Sequence, residues 1–106
     1  MPKILYSGGY GTGWYTANEH NGKEIALFML TYQPLIEAVE NREVINANHP
    51  AIRQLIEDVK EKFDYNNVNL LGARNLSVRE VSGTFRIEEY DGAETVVNDY
   101  DDWITL

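Results

Sequence analysis

The spacing of apolar residues changes once along this chain, and that change limits the fold more than any other feature. Ile52, Leu55, Ile56, Val59 and Phe63 recur at helical intervals and make one apolar stripe. From Leu76 the period is two. Leu76 and Val78 alternate with Ser77 and Arg79, and Phe85 and Ile87 alternate with Thr84, Arg86 and Glu88. A helical middle followed by strands predicts an α+β domain. With 106 residues the chain has room for one such domain, spanning 1–106.

The stripe has a clear start, with Asn48 reading as the N-cap and Pro50 as a first-turn residue. Upstream, apolar residues at 25, 28, 29, 32, 35, 36 and 39 keep helical spacing, and Pro34 interrupts it. Two helical segments are predicted, one from about Glu24 and one from Pro34 to about Arg42, with a break near Tyr32–Gln33. "IALFML" is also readable as a strand. Residues 25–32 are apolar nearly all round, which predicts a homo-oligomer with that segment at its interface.

Lys3–Tyr6 predicts a short buried strand, and Trp14–Thr16 the start of a second. The C-terminal strands are expected to form an antiparallel meander turning at Ser82–Gly83 and at Asp91–Gly92. Gly92 is expected at positive φ, where asparagine substitutes mildly and valine does not.

Several classes of protein are excluded on composition. The chain has no cysteine, so neither a disulfide framework nor a thiolate metal site is available. No apolar run approaches the roughly 20 residues that span a bilayer, and no signal-peptide core is present, so a soluble cytoplasmic protein is expected. A net charge of −8 repels nucleic acid. Seven acids and no base lie between Glu88 and Asp102. They read either as a solvated edge or as a surface for a basic partner.

Catalytic patterns are missing too. His20 and His49 sit in no nucleophile or metal motif, and His49, at a helix start, is expected to make local hydrogen bonds. Ser7 precedes two glycines but has none before it, whereas a nucleophile elbow needs glycine on both sides at fixed spacing. "DYDD" at 99–102 lacks the glycine and distal glutamate of a calcium loop. No enzyme activity, cofactor or metal is expected.

"YSGGYGTGWY", residues 6–15, places four glycines among four aromatic rings. Peptide N–H groups of Gly9, Tyr10, Gly11, Thr12 and Gly13 can converge on an anion where no Cβ blocks the approach. Tyr6, Tyr10, Trp14 and Tyr15 can stack on a base. Arg74 and Arg86, two of five arginines, suit phosphate pairing. The plainer alternatives are a tight turn with Trp14 plugging the core, and arginines paired with nearby carboxylates.

"YSGGYGTGW" together with "FRIEEYDGAE" resembles a family of small tailed-phage proteins with the shape GYGxGW, a helical middle and FRIxEYDGxE. The match covers both ends and, less distinctly, "FMLTYQPLIEAVEN", while the tail "TVVNDYDDWITL" runs on beyond the pattern. The resemblance implies a protein that acts in the host cytoplasm by binding. One such role is sequestration, by an oligomer, of a cyclic or ADP-ribose-type nucleotide signal made by host defence. The other is inhibition of a host nuclease or defence protein through the C-terminal carboxylates.

Overall fold

A computed structural model describes residues 2–81, 84–98 and 104–105. The chain is an α+β domain. Strand β1 (Lys3–Ser7) is followed by a glycine loop and a single helical turn, α1 (Tyr15–Asn18). Helices α2 (Lys23–Leu30), α3 (Gln33–Glu40) and α4 (Pro50–Phe63) come next. A 3-10 helix (Leu71–Asn75) leads into β2 (Leu76–Glu80), β3 (Thr84–Tyr90), β4 (Ala93–Asn98) and β5 (Ile104–Thr105).

The three main helices lie where the spacing places them, and the 24–30 segment is helix, not strand. The chain breaks between α2 and α3 at Thr31–Tyr32, with Pro34 in the first turn of α3, where its missing N–H costs nothing. The cap of α4 is His49, not Asn48. His49 Nδ1 accepts the Ala51 N–H at 3.0 Å, so its proton lies on Nε2, which donates to Glu43 Oε1 at 2.7 Å.

The apolar girth of α2 has a cause inside the chain. Ile25 and Met29 pack into one core with α3, α4, Leu5 and Trp14, while Ala26 and Leu30 pack into a second with Ile4, Phe85, Ile87 and Val96. Strand β1 divides in the same way, Leu5 facing one core and Ile4 the other. Helix α2 and strand β1 therefore form a middle layer with both faces buried, and a helix so placed is apolar all round. The surplus from which an interface was expected is absorbed within one chain.

Strand pairing departs from a simple meander. β2 pairs antiparallel with β1, from Lys3 opposite Glu80 to Ser7 opposite Leu76. β3 stands between β4 and β5, antiparallel to both. The Asp91–Gly92 turn is as expected, with φ of 50° and 83° in a two-residue connection. The expected turn at Ser82–Gly83 and the acids Asp99, Asp101 and Asp102 lie outside the described residues. Among the described residues no helix is long and apolar enough to cross a membrane.

Candidate functional site

The glycine loop is held from two sides. Its ends converge on Glu94, which is only 3% exposed. Ser7 N–H donates to Glu94 Oε1 at 2.8 Å, and both the N–H and the hydroxyl of Thr16 donate to Oε2 at 2.8 Å. Trp14, at the N-cap of α1, makes no side-chain cap, so Glu94 supplies that acceptor from the far hairpin. Trp14–Thr16 is accordingly the entry to a helical turn and not the second strand that its aromatic, β-branched composition predicts. The donors that meet this carboxylate flank the loop, and none belongs to Gly9–Gly13, whose N–H groups were expected to converge on an anion.

The loop tip docks on the hairpin, with Gly11 N–H donating to Asp91 O. A Cβ on Gly92 would sit 2.5 Å from Thr12 N, so this glycine is needed for close approach as well as for its φ. Asparagine shares that Cβ, and the mild replacement expected from the turn alone is corrected on this ground.

On its other side the loop backs the 3-10 helix. A Cβ on Gly72 would lie 2.0 Å from Gly13 O, one on Gly9 would meet Asn75 at 2.6 Å, and Gly8 N–H reaches Asn75 O at 3.4 Å. The loop is a wedge between the hairpin turn and the segment that carries Arg74.

The sequence-predicted site residues thus divide. Trp14 has no exposed surface to offer a base, because it fills the first core and donates its Nε1–H to Met29 O at 2.9 Å. Tyr6 is half-buried against the second core, and Thr12 bridges Ser7 Oγ and Gly9 O within the loop. Tyr10 stands exposed at the tip. Arg86 lies on β3, paired with Glu88 at 2.7 Å. Arg74 lies elsewhere, in a cleft beside the 3-10 helix.

That cleft comprises two adjoining lobes of about 730 and 550 Å³ that share Asn46, Ala73 and Arg74. The larger lobe runs beneath the 64–71 segment, which Asn18 ties down: its side chain donates to Trp14 O and Asn69 O and accepts from Asn69 N–H at 2.8 Å. The smaller lobe is walled by the turn after α3 and contains Arg42 and Glu43. Leu71 and Val44, 70% and 82% exposed, stand one on each lobe.

Arg42 is the residue that sequence reasoning missed. The α3 terminus closes with Arg42 N–H on Val39 O at 3.0 Å and Glu43 N–H on Ala38 O at 3.1 Å. This double bond pattern requires a left-handed residue at its turn, normally glycine. Arg42 occupies it at φ 61°. A non-glycine residue held there is strained, and such strain concentrates at functional positions. Among the described residues neither the Arg42 nor the Arg74 guanidinium has an ion pair or hydrogen bond. The available signal was the missing glycine after "IEAVEN".

Among the described residues no group of three or more His, Asp or Glu side chains is placed to hold a metal ion. Comparison with protein-family models, curated proteins and solved structures finds no match.

Proposed function

We propose that this chain is a small-molecule-binding protein that sequesters a nucleotide-derived signal, cyclic or ADP-ribose-type, of an infected cell's defence. The observation that carries the reading is the pair Arg42 and Arg74, two guanidiniums without carboxylate partners among the described residues, lining one cleft of a chain with net charge −8. Always-charged, planar donors of this kind pair with phosphate oxygens. The lobe sizes fall in the roughly 300–1,000 Å³ range of small-molecule sites. The phage-like ends of the sequence supply the biological setting, the host cytoplasm, where the protein acts by holding its ligand, while a homo-oligomer has lost the support that residues 25–32 gave it.

Docking to a basic host protein would have to use the acids at 99–102, outside the described residues, because most of those before them are engaged. Glu94 is consumed inside the fold, and Glu88 and Glu89 are engaged by Arg86 and by the Gly92 N–H.

Calorimetric titration with ADP-ribose and cyclic dinucleotides tests the reading. The unmodified protein binds one of them, and Arg74→Ala, at an exposed position, weakens binding at least tenfold with an unchanged melting temperature. Absence of binding by the unmodified protein to every nucleotide overturns it.

A further inference from the structure

The two lobes of the cleft differ in chemistry, and the difference discriminates between the ligand classes. The larger lobe offers the whole amide of Asn67 and the amide N–H groups of Asn46 and Asn69, whose oxygens already accept from Asn48 and Leu71 N–H, with Val68, Leu70 and Leu71 as apolar surface. One amide that both donates and accepts, with further amide N–H groups beside apolar walls, suits a neutral planar base. The smaller lobe holds both arginines and Glu43. Glu43 is fixed there, because one oxygen takes the His49 Nε2–H at 2.7 Å, while Oε2 has no hydrogen bond among the described residues.

A carboxylate beside two guanidiniums repels a terminal phosphate and accepts hydroxyl protons, the service an acidic residue performs for a ribose in dinucleotide sites. Arg74 belongs to both lobes, whereas Arg42 and Glu43 belong to the smaller one alone, so a base in the larger lobe leaves phosphates for the arginines and a hydroxyl-bearing sugar for Glu43. A cyclic dinucleotide has the opposite arrangement, with its phosphates in a central ring and a base at each end.

We infer that the ligand of this cleft is a nucleoside diphosphate capped by a sugar, of the ADP-ribose type, with its base in the Asn67–Asn69 lobe and its terminal sugar at Glu43. The inference rests on the binding reading above. The test is titration of the full chain with ADP-ribose, ADP and cyclic di-AMP, which share the same base. ADP-ribose should bind at least tenfold more tightly than either of the others. Glu43→Gln, which keeps an acceptor for His49 and so keeps the cap of α4, should bring the ADP-ribose affinity down to that of ADP. Equal affinities for ADP and ADP-ribose, or tightest binding of cyclic di-AMP, would overturn the inference and leave the binding reading standing. No binding of any of the three would overturn the inference, and the binding reading falls with it when the other cyclic dinucleotides fail to bind as well.

Discussion

The main-chain N–H of Ser7 donates to Glu94 Oε1 at 2.8 Å, across 87 residues of sequence. This contact and its partners at Thr16 join the N-terminal strand to the C-terminal hairpin and define the path of the glycine loop. One acid of an apparently solvated edge is thereby a structural centre.

Substitution at Glu94 should separate that centre from its neighbours. Glu94→Ala leaves two backbone donors and a hydroxyl without their acceptor, and buried groups so stranded cost about 1–3 kcal/mol each. A fall in melting temperature of more than about 10 °C is expected, since about 1 kcal/mol shifts a domain of this size by roughly 4 °C. Glu88→Ala removes only an exposed ion pair, worth about 0–1 kcal/mol, and should shift the melt little. Similar melting curves for the two variants would contradict the central role of Glu94.

At Gly92 the turn and the loop impose separate demands. Positive φ alone would let asparagine pass, but a Cβ 2.5 Å from Thr12 N forces backbone to move. Gly92→Asn and Gly92→Val should therefore both destabilise, by about 2 kcal/mol or more. Gly8→Ala is the control: its Cβ meets nothing within 4 Å, and the change should stay within about 0.5 kcal/mol. Chemical denaturation of the three variants checks this, and a native-like Gly92→Asn protein would show that the loop and hairpin do not pack closely.

Stability should fall in alkali through two tyrosines. Burial, then the hydrogen bond to Asp58, pushes the Tyr32 phenol above its ordinary value of 10.0, and burial with Glu19 nearby raises Tyr15. The unfolded chain then loses these protons before the folded one does. Their contribution is complete below about pH 10 and is lost as pH rises beyond it. Denaturation midpoints measured from pH 8 to 11 should decline above 10, and Tyr32→Phe should flatten the decline. An unaltered slope in that variant would remove Tyr32 from the account.

What the sequence disclosed follows the range of the interactions involved. Helix α4 was legible because its stripe, its proline and its cap lie within one segment. The identity of its cap differs by one residue because either Asn48 or His49 can accept, and Glu43 holds the His49 ring in place. Helix α2 was ambiguous because periodicity cannot register that both of its sides are buried. β2 was legible as a strand, but its partner β1 lies at the other end of the chain, where no local pattern points to it. The same holds for the site. Arg74 could be singled out by residue type, whereas its cleft is built from the 41–49 and 64–75 segments, whose sequences read as connections. The glycines announced a special backbone, but Glu94, which holds the residues on either side of them, is 78 residues from Thr16.

Arg42 gives the sharpest separation of stability from function. At φ 61° it carries a strain that glycine would not, about 1–2 kcal/mol for a residue with a Cβ. Glycine also gains freedom in the unfolded chain, so Arg42→Gly should stabilise by a net of about 0.5–1 kcal/mol, raising the melting temperature by a few degrees. The same variant loses a guanidinium from the smaller lobe and should weaken nucleotide binding at least tenfold. Arg42→Ala removes the guanidinium and retains the strained conformation, so it should lose binding with no gain in stability. Paired melts and titrations of the two variants distinguish the roles. A stabilised Arg42→Gly protein that binds as tightly as the unmodified chain would mean that the strain serves no ligand, and Arg42 would leave the site. A destabilised one would mean that the guanidinium contributes to the fold in its own right, and that the strain at the α3 terminus is already offset within the folded domain.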